Sequence, residues 1–118
     1  MPDPSLTDAP HPGTVLAARL RALSMSASEL SRHLGIPINR VTQIINGQRG
    51  VSGDSALRLA RFFDTAPRYW IDLQMAYELR RAEEANGDEI RRAVPTLNDV
   101  AKSRKPAQAS LSFASEAV

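Results

Sequence analysis

Between Ser26 and Gly47 the chain reads SASELSRHLGIPINRVTQIING, two short helical patterns held apart by a glycine and a proline. Ser26, with Glu29 three residues on, has the S-x-x-E form of a capping box. In that motif the hydroxyl accepts a backbone N–H at the helix start and the carboxylate accepts another in return. The helix that follows carries Leu30 and Leu34 and stops at Gly35, a residue suited to the left-handed conformation of a helix end. Ile36-Pro37 cannot continue that helix, yet proline fits the first turn of a new one. Val41, Ile44 and Ile45 mark the buried face of the second helix, and Asn46-Gly47 closes it. Two short helices joined by about three or four residues have the spacing of a helix-turn-helix.

The other face of the second helix carries Asn39, Arg40, Thr42 and Gln43, where a solvated face favours Glu and Lys for their intrahelical pairs. No acid occurs between Leu30 and Gly53. Phosphate would repel an acid there, so its absence points to a face that reads DNA. In a helix-turn-helix the second helix enters the major groove with its N-terminal residues against base edges. Pro37, Ile38, Asn39, Arg40, Thr42 and Gln43 are therefore the candidate base readers. Asn and Gln side chains can bond adenine N6 and N7, Ile38 can meet a thymine methyl, and Arg40 can meet guanine or a phosphate. Ser26, Ala27 and Ser28 open the first helix of the pair, where free N–H groups attract phosphate. Asn46, Gln48 and Arg49 follow the reading helix and are phosphate candidates too. Arg32 is another, although a solvated arginine explains it equally well.

Around this centre the remaining sequence is helical. Leu16, Leu20 and Leu23 lie on one face of a helix over 13–23. Ser52 can cap a fourth helix, with Asp54 placed for the helix dipole and Ala56, Leu59, Ala60 and Phe63 as its buried stripe. Thr65 can cap a fifth, with Pro67 in its first turn. Asn86-Gly87 is the expected end of that helix, and 88–94 a further short one. The expectation is an all-α, five-helix bundle over residues 13–95. A flexible arm, 1–12, precedes it and a mobile tail, 96–118, follows; Leu111 and Phe113 in the tail could still dock.

Charge is spread unevenly along the 118 residues. The net charge is +2, but residues 13–50 hold five arginines against one glutamate, while residues 67–95 hold five against six acids. A basic first half and a slightly acidic second half suggest two surfaces with two jobs. With no cysteine there is no disulfide or thiolate metal site, and a reducing cytoplasm is the default inference. Nothing resembles a secretory signal, and no apolar run nears the ~18 residues of a membrane span. His11 and His33 stand alone, and the acids Glu78, Glu83, Glu84, Asp88 and Glu89 are interleaved with arginines, as on a solvated helix face. No catalytic residue, metal ligand or cofactor-binding loop is therefore expected.

The Ser26–Gly47 segment resembles the helix-turn-helix of the Cro and phage-repressor (XRE-like) family, which implies a lambda-repressor-like fold. HPGTVL, NRVTQIINGQRGVS, ALRLARFF and TAPRYWIDLQMAYEL extend the likeness over about residues 11–85, to the HigA-type antitoxins. The HPG opening, the NG-x-RG-x-S loop and the P-x-x-W-x-x-L-Q-x-x-Y segment are the discriminating parts. Gly53 departs from the pattern, standing where proline is common, and the segment beyond Pro95 is longer than expected. The resemblance implies a protein that represses its own operon at double-stranded operator DNA and silences a small RelE-like ribonuclease toxin. Such proteins pair, with half-sites ~34 Å apart. The fifth helix offers the dimer surface through Trp70, Leu73, Tyr77 and Met75, with Trp70 and Leu73 mainly core and Tyr77 and its neighbours shared. Two rivals remain: a repressor without a toxin, and a toxin-neutralising module without DNA binding.

Overall fold

The computed structural model describes residues 9–104. Residues 1–8 of the expected arm and 105–118 of the expected tail, with Leu111 and Phe113, lie outside the described residues. Among the described residues six helices follow one another: α1 (Pro12–Leu23), α2 (Ala27–Leu34), α3 (Ile38–Ile45), α4 (Gly53–Phe63), α5 (Pro67–Ala93) and α6 (Leu97–Lys102). The first five are the all-α architecture the sequence predicted, and no strand occurs among the described residues. Two compact units divide the chain, one ending at Ala82 and one beginning at Glu83.

In the first unit the apolar stripes meet as one core. Leu16 and Leu20 of α1, Leu30 and Leu34 of α2, Ile36 of the turn, and Val41 and Ile44 of α3 are buried there. Val51, Ala56, Leu59, Ala60, Trp70 and Leu73 complete it. Leu23, expected on the buried face of α1, is instead 53% exposed at the end of that helix. Among the described residues, every buried side-chain polar atom has a hydrogen-bond partner. Ser31 donates its hydroxyl to the Ser28 carbonyl at 2.7 Å, and the Trp70 indole donates to the Thr65 hydroxyl at 3.0 Å. The Arg19 guanidinium lies over the rings of Phe63, Tyr69 and Trp70 at 5.4, 5.3 and 5.5 Å, tying α1 to α4 and α5 by cation–π attraction.

The helix-turn-helix follows from its end signals. Ser26 accepts the Glu29 N–H at 3.0 Å, the first half of the expected capping box. The Glu29 carboxylate lies 3.5 Å from His33 Nε2, one turn on. Gly35 is left-handed (φ 69, ψ 36), its N–H reaching the Arg32 carbonyl while Ile36 N–H reaches that of Ser31. This double bond pattern ends α2 and turns Ile36 into the core. Ser52 caps α4 through Ser55 N–H, so the helix starts at Gly53 without a proline.

Gly13 explains the HPG opening. A Cβ at this position would overlap the carbonyl oxygen of Ile44, so α1 and the end of α3 touch backbone to backbone. His11 and Pro12, assigned by the sequence to the arm, belong to the fold: Pro12 is the first residue of α1 and is buried, and His11 caps the helix.

In the second unit the helix does not stop at Asn86-Gly87. Gly87 lies within α5, one turn from both Glu83 and Arg91. Glu83 pairs with Arg91 at 2.6 Å and Asp88 pairs with the same guanidinium at 2.7 Å. A Cβ on Gly87 would overlap the Glu83 carboxylate, so the glycine leaves room for the bridge that spans it. The separate helix expected over 88–94 is therefore the end of α5. Thr96 caps α6 by accepting Asp99 N–H at 3.0 Å, placing a short helix where the sequence analysis put the start of the tail. No helix among the described residues is long and apolar enough to cross a membrane.

Candidate nucleic-acid interface

The expected base readers fall into two groups. Pro37, Ile38 and Asn39 are exposed at the start of α3, with Ile38 44% accessible. Arg40, Thr42 and Gln43 are half-buried and bonded within the chain. The Thr42 hydroxyl donates back to the Asn39 carbonyl at 3.2 Å. The Gln43 side-chain oxygen accepts Arg49 Nε at 2.9 Å, so a base-reading candidate and a phosphate candidate are joined, leaving the Gln43 amide NH₂ to donate. The Gln43 backbone carbonyl accepts the N–H groups of Gln48 and Arg49, which folds the loop against the end of α3.

Arg40 has an intramolecular partner that the local sequence window missed. Its Nη1 lies 2.6 Å from Asp54 Oδ2 and 3.4 Å from the Ser55 hydroxyl. The acid-free stretch ends one residue before Asp54, and folding returns that acid to the reading helix. Bonds from Arg40 and then Arg58 hold the Asp54 carboxyl below the usual carboxylate range. Asp54 also lies in the first turn of α4, as its dipole placement predicted.

Of the phosphate candidates, Ser26 uses its hydroxyl to cap α2, and Ala27 and Ser28 form the first turn of that helix. Arg32 is exposed in its last turn. Asn46, Gln48 and Arg49 are exposed beyond α3. Trp70 and Leu73, offered as part of a dimer surface but placed mainly in the core, are wholly buried within one chain. Tyr77 is half-buried; its ring meets that of His11 edge-on at 4.9 Å, and its hydroxyl accepts Arg81 Nη1 at 2.7 Å.

A helix-turn-helix family model matches residues 15–70. An addiction module antidote protein of a HigA family from Coxiella burnetii is 48% identical and superposes with a TM-score of 0.73, over 74% of this chain and 96% of that one. The chain belongs to the HigA family of helix-turn-helix antitoxins. The Pseudomonas aeruginosa antitoxin HigA, solved with the higBA promoter, is 38% identical over 75% of this chain and 97% of that one, with a TM-score of 0.72. Virulence-associated protein I of Dichelobacter nodosus is 38% identical over 63% of this chain and 69% of its own.

Two HigA-type motifs gain a physical meaning here that sequence reasoning missed. Gln74, the Q of the L-Q-x-x-Y segment, is buried; it accepts Val51 N–H at 2.8 Å and donates to Glu78 at 3.0 Å. It thus holds the loop after the reading helix to α5. A Cβ on Gly50 would meet the Gln74 amide at 2.9 Å, which explains the glycine of RG-x-S. His11, the H of HPG, accepts Gly13 N–H on Nδ1 at 2.9 Å. The sequence offered one clue to the first of these, a glutamine on the same stripe as Trp70 and Leu73.

Burial lowers the His11 pKa from its ordinary value of 6.5, with a backbone hydrogen bond to Arg49 acting in the opposite direction. The neutral ring is the one that can cap α1, since protonation removes the Nδ1 acceptor. A base with a depressed folded pKa contributes its full stability above about pH 6.5 and loses it as pH falls through the folded value. The urea midpoint of the wild type should therefore decline as pH falls below about 6.5. His11→Asn, a cap that does not titrate, should flatten that part of the profile. Parallel profiles for the two proteins would remove His11 as the cause.

Proposed function

We propose that this chain is an antitoxin that binds double-stranded operator DNA as a dimer, represses its own operon, and neutralises a small RelE-like ribonuclease toxin. The observation that carries the DNA reading is the exposed start of α3, Pro37-Ile38-Asn39, on a helix fixed from several sides. Gly13 abuts its end, Asp54 holds Arg40, and the Gln74-anchored loop follows it. A rigid helix with a free polar start is what major-groove readout requires. The promoter-bound P. aeruginosa relative supports the same use. In this reading Asn39, Gln43 and Ile38 meet bases, while Arg49, Gln48, Asn46, Arg32 and the α2 start from Ser26 meet phosphates. The toxin part rests on family membership.

An exposed apolar stripe supports a dimer surface on α4 and α5, with Trp70 and Leu73 left to the core. Leu57 of α4 is 62% exposed, and Met75 and Leu79 of α5 are 47% and 67% exposed. Leu57, Ala56, Pro67, Ile71 and Met75 line a groove of ≈ 540 Å³ between these helices. The occupant is a second copy of the chain. Arg68 and Asp72 border the groove with opposite charges one turn apart, and a two-fold axis can set each against its opposite in the partner.

Asn39→Ala should weaken binding to the duplex upstream of the coding sequence by ~1–3 kcal/mol and hardly change binding to a shuffled duplex; equal losses on both would exclude Asn39 as a reader. Met75→Asp should shift sedimentation from dimer to folded monomer, and a persistent dimer would move the interface elsewhere. Expressing the short reading frame beside this gene should arrest growth, and this protein should relieve the arrest and co-purify with its product. Arrest without relief, or no arrest, would leave a repressor without a toxin.

A further inference from the structure

On α3, with the sequence INRVTQII, Arg40 is the one cation, and the fold does not leave it free. Asp54 Oδ2 accepts both Arg40 Nη1, at 2.6 Å, and Arg58 Nε, at 2.9 Å. Arg58 in turn donates Nη1 to the Leu34 carbonyl at 2.8 Å, at the end of α2. One carboxylate thus links the reading helix, the first turn of α4 and the turn between the two motif helices. The start of α3 has no side-chain cap of its own, since Pro37 occupies that position. Asp54 is more than half exposed, and exposed ion pairs contribute little to stability. Its position matters more than its stabilising effect.

A carboxylate beside the reading helix also opposes DNA phosphate. Binding to unrelated DNA draws almost wholly on phosphate contacts, whereas binding to the matched site draws on base edges as well. While Asp54 holds Arg40, a passing phosphate must break that pair to recruit the guanidinium. Binding through base edges needs no such break, because Asn39 is presented with the pair intact. We infer that Asp54 is a specificity-determining positioning residue, which through Arg40 withholds a phosphate contact from non-matching DNA and keeps the start of α3 set for base reading. This rests on the DNA-binding reading above and assigns to an acid outside the reading helix a share of its selectivity.

The test titrates the wild type, Asp54→Asn, Arg40→Ala and the double variant. Each is measured against the upstream duplex and a shuffled duplex of equal length and composition, at several salt concentrations. Asp54→Asn should tighten binding to the shuffled duplex about five- to ten-fold and steepen its salt dependence by about one unit. Binding to the upstream duplex should gain less than about two-fold, so the preference falls. In the Arg40→Ala background the same change should alter the preference little, since the residue acts through Arg40. Asp54→Glu, which keeps the charge, should retain most of the preference. Equal tightening on both duplexes would reduce Asp54 to general repulsion, and an undiminished effect without Arg40 would break the link; either overturns the inference. A wild type with no preference for the upstream duplex would instead overturn the DNA-binding reading, and this inference with it.

Discussion

The contact of Gly13 with the carbonyls of Ile44 and Ile45 sets the geometry on which the first unit depends. Side chains elsewhere in a core can repack, but two backbones in contact leave nothing to adjust. With α1 fixed against the end of α3, the reading helix has a defined height above the core. Leu16 and Leu20 can then share one interior with Val41 and Ile44. His11 and Pro12 prepare this contact by starting α1 at the required place, one by capping and the other by its fixed φ. The HPG triplet therefore acts as one device with three parts.

The polar contacts around α3 share a pattern. Gln43 is bonded to Arg49, Arg40 to Asp54, and Thr42 to its own helix. Asn39 stands exposed beside them. Side chains held before a partner arrives lose less freedom on binding than free ones. The same bonds couple positions that a residue-by-residue account would treat as independent.

The local parts of this architecture were legible in the sequence, and the distant ones were not. Ser26, Gly35, Pro37 and Ser52 act through neighbours a few residues away, so their identity alone placed the ends of α2, α3 and α4. Asp54 meets Arg40 across 14 residues, and Gln74 meets Val51 across 23; no periodicity encodes either. The acid-free window was therefore correct along the chain and misleading in space. Asn86-Gly87 misled for the opposite reason: a valid stop signal lies inside α5, where an ion pair spans the glycine. Trp70 and Leu73 have the apolar area of an interface; the sequence placed them mainly in the core, and packing buries them fully within one chain. In the site, the exposed Pro37-Ile38-Asn39 edge was readable, whereas the bonds that hold Arg40 and Gln43 were not.

The burial of Trp70 and Leu73 has a bearing on supply as well as shape. Trp70 and Leu73 are covered by their own chain, whereas an obligate dimer covers such residues with its partner and has a stability inseparable from its concentration. In the proposed dimer, scarcity of the chain thins the population of pairs while leaving each copy intact. Any step that needs two copies then responds to the square of abundance, whereas a step that needs one responds in proportion. A cell that dilutes or degrades this protein would lose the first kind of activity well before the second.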